Sequence, residues 1–351
     1  MIKKNTLRVG NSIKLPTLLL FLLFSPFAPL ISSPLSRSYL PSPSSPYPTF
    51  RLLESGYGPE DIVVDSLHNP PRLLISCASR RAEYPVYGEI ESIQPNSNTR
   101  LVMKRIGDPE GLAFRPHGIS LIQAGEIQYL YVITHDDKNE RHPIIQYQIE
   151  DDELIFIRML ESKLLVSPNA LQAFPDGSLV VCNDAAVRNS MKEKIYMQKK
   201  GNVLFYDGQG NWTIAALSLG MPAGLTGIGN QIFVSATLEN KLYSYNLRDG
   251  QLLDKKLVCR IKGPDNIRIS HDKLIITSHS KPIKFIFHTK KKSRHSPSLV
   301  VLVDPASGKQ IRLFYDNGKQ INAASVAVLF NNQLVIGQIF EPFIGIYDKN
   351  R

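Results

Sequence analysis

Pro59-Glu60-Asp61-Ile62, Pro116-His117-Gly118-Ile119, Pro168-Asn169-Ala170-Leu171, Pro222-Ala223-Gly224-Leu225 and Pro264-Asp265-Asn266-Ile267 are versions of one phrase, with Ala323-Ala324-Ser325-Val326 as a degenerate sixth copy. Each runs from a proline through a variable residue and a small or polar one to an aliphatic one. Successive copies start roughly 40–60 residues apart, a period that signals propellers or solenoids. In four of the five proline copies the variable residue is Glu, His, Asn or Asp. Repeats related by rotation about one axis bring that position of each to one central place. The phrase therefore predicts a fold and a site together.

Around the phrases lie short aliphatic or aromatic runs at 72–76, 129–134, 178–182, 231–236, 273–277 and 333–337, rich in Val, Ile and Tyr. Turn chemistry separates such runs, as at Pro175-Asp176-Gly177, Asp207-Gly208, Asp249-Gly250 and Asn331-Asn332. No stretch shows sustained helical periodicity, although 185–200 suits a short helix or a loop. Each phrase is expected to open an inner strand, giving blades near 61–104, 112–160, 168–217, 222–257, 264–314 and 323–348. The last is one strand short, and Phe50–Glu54 is placed to supply it. Closure of this kind removes the exposed edges of an open sheet. The predicted fold is all-β: a six-bladed β-propeller closed by pairing of N- and C-terminal strands, a single domain over 50–351. A β-sandwich would leave the recurring phrase unexplained.

The 351 residues, 43% hydrophobic and 21% charged, supply ample material for a core. The net charge of +10 is concentrated in Lys3, Lys4, Arg8 and Lys14, and in Lys281, Lys284, Lys290, Lys291, Lys292 and Arg294. The rest of the chain is balanced, which argues against a nucleic-acid binder. In the basic loop 281–294 the lysines interleave with Phe285, Ile286 and Phe287. That mixture suits an anionic lipid or polysaccharide surface, or a solvated loop. Residues 1–33 join a basic start to an apolar run and small residues, the pattern of a signal peptide or an uncleaved membrane anchor. Residues 34–49 read as a Pro/Ser-rich linker. The propeller is thus expected outside the cytoplasm, secreted, periplasmic or anchored. Cys77, Cys182 and Cys259 are odd in number and widely spaced, so buried free thiols are expected rather than zinc ligands or a disulfide scaffold. Asn211-Trp212-Thr213 is a glycosylation sequon.

Glu60, Asn169, Asp265 and Asn266 share one phase of the repeat and are all oxygen donors. Calcium accepts such a set, whereas zinc favours His or Cys. The other reading is turn caps around a water-filled channel. His117 has the same phase but is a poor calcium ligand; beside that ion it suits a general base. His135 ends the next strand of the same blade, where antiparallel pairing could set it against His117 as an orienting partner.

These residues resemble the paraoxonase/arylesterase family, part of a superfamily that includes gluconolactonase-like and strictosidine-synthase-like propellers. The resemblance is carried by Pro116-His117-Gly118-Ile119-Ser120 with His135, by Pro59-Glu60-Asp61, by Pro264-Asp265-Asn266-Ile267, and by Leu334-Val335-Ile336-Gly337-Gln338-Ile339-Phe340. It implies a six-bladed propeller with two calcium ions in its tunnel, hydrolysing lactones and aryl esters by water activated through a histidine dyad. Glu60, Asn169, Asp265 and Asn266 would hold the catalytic calcium, with His117 as base and His135 as its partner. Asp61 and the carbonyl of Ile119 would match two ligands of a second, structural calcium, and His279 a histidine lining the pocket. The chain departs from the family pattern at Ala223, where the family has Asn, at Ala170, where it has Asp, and in lacking the paired terminal cysteines. The expected function is a calcium-dependent hydrolase of small-molecule esters or lactones. The alternative is a non-catalytic β-propeller binding module with a degenerate metal site.

Overall fold

Pro59, Pro116, Pro168, Pro222 and Pro264 are each the first residue of a strand, and the sixth copy opens its strand at Ala324. Proline brings no amide N–H, so the start of a strand is where it costs the ladder least. The computed structural model describes residues 49–349; the leader expected at 1–33, and the expected linker apart from Thr49, lie outside the described residues.

Blade 1 comprises Pro59–Asp65, Arg72–Ala78, Gly88–Gln94 and Thr99–Val102. Blade 2 comprises Pro116–Ala124, Ile127–Thr134, Ile144–Glu150 and Glu153–Leu160. Lys104–Ile106 joins blade 2 as a fifth strand, parallel to Glu153–Leu160, although it begins at the expected end of the first blade and precedes the expected start of the second. Blade 3 comprises Pro168–Ala173, Leu179–Asn183, Gly201–Tyr206 and Trp212–Leu219. Blade 4 comprises Pro222–Ile228, Gln231–Ala236, Lys241–Arg248 and Gln251–Arg260. Blade 5 comprises Pro264–Ser270, Lys273–Ser278, Ser298–Val303 and Gln310–Asp316. Blade 6 takes Ala324–Phe330, Gln333–Gln338 and Phe343–Asp348 from the end of the chain. Its outer strand is Thr49–Glu54, paired antiparallel with Phe343–Asp348. The six-bladed propeller is therefore closed by the two ends of the chain, as the short last repeat required.

Burial explains why the middle strands are continuous apolar runs. Leu73, Leu74 and Ile75 are buried in succession because the neighbouring blades cover both faces of their strand. The core is divided among apolar clusters, each shared by two adjacent blades. Ile62, Cys77 and Ile93 of blade 1 meet Val326, Val335 and Ile346 of blade 6, which closes the ring. The equivalent clusters join blades 1 to 2, 2 to 3, 3 to 4, 4 to 5 and 5 to 6. Each fully buried Leu, Ile or Val contributes on the order of 1.5–3 kcal/mol. Cys77, Cys182 and Cys259 are free and buried within this packing, as expected.

Helix is scarce. Met191–Ile195 falls inside 185–200, its first turn capped by Ser190 Oγ, which accepts from Glu193 N at 3.3 Å. The segment 281–294, expected to be a loop, contains instead a helix over Pro282–Lys290. Proline at its first turn is preorganised for a helix. Short helices hold through tertiary packing rather than propensity. Here Phe285 stacks on His279 with ring centroids 4.1 Å apart, and His288 is fully buried. Its lysine-rich sequence masked that anchoring.

Candidate active site in the central tunnel

The same irregularity interrupts every inner strand directly after the phrase begins. Pairing with the second strand jumps from Pro59 to Asp61, from Pro116 to Ile119, from Pro168 to Ala170, from Pro222 to Gly224, from Pro264 to Ile267 and from Ala324 to Val326. In each case the inner strand carries one residue more than its partner, which is a β-bulge. A bulge frees a residue from the ladder and re-aims its side chain. Glu60, His117, Asn169, Ala223, Asp265 with Asn266, and Ser325 are the residues so released. The repeat phase read in the sequence is thus a physical device. It frees one side chain from the ladder in most blades and two in blade 5.

Neighbouring inner strands pack against one another around the ring, and this explains the small third residue of the phrase. A Cβ on Gly118 would lie 2.4 Å from the Asn169 carbonyl oxygen, and one on Gly224 would lie 2.2 Å from that of Asp265. Hydroxyls from second strands then tie down the displaced backbone of the next blade. Ser76 Oγ donates to the His117 carbonyl at 2.5 Å, Ser235 Oγ donates to that of Asp265 at 2.7 Å, and Thr277 Oγ1 donates to that of Ser325.

At the centre, Glu60 Oε1 lies 3.2 Å from His117 Nε2. The other ring nitrogen of His117, Nδ1, is 2.9 Å from His135 Nε2. His135 Nδ1 is in turn 3.2 Å from Nδ1 of His142, so three buried imidazoles form a chain running away from Glu60. Burial opposes ionisation of Glu60, but Arg80 and His117 outweigh it and hold the carboxyl down at about 2. His135 is driven well below 6.5, first by burial and then by the positive charge of Arg188. His142 is lowered by the same two causes. Beyond it lies a cleft of about 610 Å3, lined by His142, Leu165, Val166, Val187 and Arg188 among others.

Blade 5 supplies the opposite wall. Asp265 Oδ2 is 3.0 Å from His279 Nε2, and Asn266 Nδ2 donates to the Glu60 carbonyl oxygen at 3.2 Å. Glu60, His117, His135, Asp265, Asn266 and His279 are therefore one constellation. Asn169 stands on the adjoining inner strand, partly exposed, with its backbone alongside Gly118. Among the described residues, no three His, Cys, Asp or Glu side chains are arranged as a metal cluster. Two carboxylates with two amides nonetheless form a hard-oxygen donor set suited to calcium. Ala223, buried on blade 4, contributes only a methyl group to this site.

Asp61 and Ile119 belong to a different arrangement. Burial raises the Asp61 carboxyl, against the pull of Arg268 and the amides of Ile119 and Ile62. Arg268 forms an ion pair with Asp61, and its Nη2 also donates to the Ile119 carbonyl at 3.1 Å. The two oxygens assigned by resemblance to a second calcium are thus held by a guanidinium. They do not fit that ion. Sequence reasoning also passed over Arg80, which ion-pairs with Glu60 and donates to the Ala78 carbonyl at 2.8 Å. His142, two strands from His117, was likewise unforeseen.

The arylesterase family model matches residues 89–344 of the chain. Serum paraoxonase/arylesterase 1 of Homo sapiens is 21% identical over 280 residues, covering 72% of this chain and 78% of that protein. Its counterpart in Rattus norvegicus is 22% identical over 237 residues, 65% of this chain and 67% of that one. Human serum paraoxonase/lactonase 3 is 22% identical over 237 residues, with the same coverage of 65% and 67%. Among solved structures, a gluconolactonase from Xanthomonas campestris superposes with a TM-score of 0.53 at 14% identity, covering 87% of this chain and 89% of its own. A putative gluconolactonase reaches 0.56 at 12% identity, covering 86% and 92%. These structures speak for the fold alone.

Proposed function

Because the chain belongs to the arylesterase family, we propose that it hydrolyses lactones or aryl esters in its tunnel, with His117 as general base and His135 as the partner that orients it. The observation that carries this reading is the unbroken series Glu60, His117, His135, with polar atoms 3.2 and 2.9 Å apart. Calcium held by Glu60, Asn169, Asp265 and Asn266 would polarise the substrate carbonyl and favour its developing oxyanion.

The three imidazoles have two concerted tautomers. In one, His117 Nε2–H donates to Glu60 while His135 and His142 each donate inward. In the other, every donor points outward and His117 Nε2 is free to take a proton from water. The lowered pKa values of His135 and His142 favour neutral rings, as either tautomer requires. Water then attacks the carbonyl carbon as its proton passes to His117 Nε2. Collapse of the tetrahedral species breaks the ester C–O bond, and the departing alkoxide or phenoxide takes that proton back.

A second reading, a binding module without catalysis, is favoured by Ala223 and by the ion pair of Arg80 with Glu60. Assay of the intact chain on an aryl acetate and a lactone, in calcium and in chelator, separates the two. Turnover that needs calcium supports the hydrolase, and none in either condition supports the module. The leader at 1–33 supports an exported or membrane-anchored chain. The exposed Ile283 and Phe287 beside the lysines of helix Pro282–Lys290 support contact with an anionic surface.

A further inference from the structure

Arg268 lies two residues beyond Asn266 on the inner strand of blade 5, and it reaches across to blade 1. Its side chain is 14% exposed and that of Asp61 is 2% exposed, so the pair is largely shut off from solvent. The oxygens that Asp61 and Ile119 would offer a second cation are already engaged. Asp61 Oδ1 accepts from the Ile62 amide at 3.0 Å and from Arg268, Oδ2 accepts from the Ile119 amide at 2.9 Å, and the Ile119 carbonyl accepts from Arg268 Nη2 at 3.1 Å. A calcium ion bonded to the same oxygens would sit against the guanidinium, and like charges at that separation in a desolvated place repel strongly.

Charge counting points the same way. The family pattern sets two carboxylates against one divalent ion at this place. Here Ala170, which is buried, stands where that pattern has the second carboxylate, and Arg268 sets one fixed positive charge against the remaining one, Asp61. Both arrangements are neutral, and only neutral or fully paired charge is tolerated at such depth.

We propose that Arg268 is a tethered cation that takes the place of the tunnel's second calcium. The chain then binds at most one calcium ion and needs no structural metal to fold. Blades 1, 2 and 5 are joined at the axis by a side chain rather than by an exchangeable ion, and the fold survives in calcium-poor surroundings.

The test uses the full chain and counts bound metal directly. Equilibrium dialysis against micromolar calcium followed by elemental analysis is expected to return no more than one ion per chain. The melting temperature in chelator should lie within a few degrees of that in millimolar calcium. Arg268→Ala exposes Asp61, so its melting temperature should drop by several degrees in chelator and recover at least partly on adding calcium; Arg268→Lys should behave nearly as wild type. Should Arg268→Ala fail to fold, the double variant Asp61→Asn/Arg268→Met, which removes both charges, is expected to fold and to melt without regard to calcium. Two ions in the wild-type chain, or Arg268→Ala melting like wild type in chelator, would overturn the proposal. A chain that holds at most one ion yet cleaves no ester would retire the hydrolase reading and leave this one standing.

Discussion

His117 lies on the first strand of blade 2 and His135 directly follows the second, 18 positions on, yet their ring nitrogens approach to 2.9 Å. The bulge after Pro116 makes this possible, since it releases His117 from the ladder just where the second strand ends. An imidazole so held has one nitrogen fixed and the other directed at Glu60.

His117→Gln is expected to lower kcat/KM on an aryl acetate and on a lactone by about 100-fold or more, the usual worth of a positioned base. His135→Gln leaves the base in place but unoriented, so a smaller loss, roughly tenfold, is expected. Steady-state kinetics on both substrates check this. Turnover by His117→Gln at the wild-type rate would remove it from the chemistry.

The native chain should lose stability as acidity rises through the range where free histidine titrates. His135 and His142 lie below their ordinary 6.5 in the folded state. Below that pH the unfolded chain binds protons that the folded chain refuses, so unfolding becomes more favourable as pH falls. The melting temperature is expected to decline between pH 7 and pH 5, and His135→Gln should decline less steeply. Parallel profiles for the two proteins would contradict the assignment.

Glu60→Gln leaves the Arg80 guanidinium in place without its counter-ion. Stranding a buried charge costs about 3 kcal/mol, which denaturant titration would register as a lower midpoint with the slope unchanged. The double variant Glu60→Gln/Arg80→Met should recover part of the loss. If the two single substitutions simply add, the ion pair is not coupled.

The cysteines offer a test of the core that does not involve the site. Burial raises the thiols of Cys182 and Cys259 to about 12 and pushes that of Cys77 well above its ordinary value. All three are expected to resist a thiol reagent in the native protein and to react together once it is unfolded. Prompt reaction of even one in native buffer would show that its blade opens readily.

Much of the constellation was legible because the phrase that encodes it is local. Proline must begin the strand, the next residue is released by the bulge, and Gly118 or Gly224 must be small to let the adjoining backbone pass. The proline recurs in five blades and the bulge in all six, so Glu60, His117, Asn169 and Asp265 could be aligned without any coordinates. The arginines were not legible in that way, since Arg80 and Arg268 acquire meaning only from partners on other strands. Even so, Arg268 shares the alternation of its strand with Asn266, a hint that period-two reading could have used. His142 gave no such signal, as it lies in the connection before the strand Ile144–Glu150. Helix Pro282–Lys290 was hidden by its charge, because its anchors are only Phe285 and His288.

Thr49–Glu54, the strand that completes blade 6, is the earliest of the described strands to be synthesised, and its partner Phe343–Asp348 is the last. On the ribosome this edge must wait, unpaired, until the five intervening blades and Phe343–Asp348 have emerged. Contacts so distant along a chain are slow to form. The circle is therefore completed only once Phe343–Asp348 has been made, and a message cut short upstream of that strand yields blades with no way to lock.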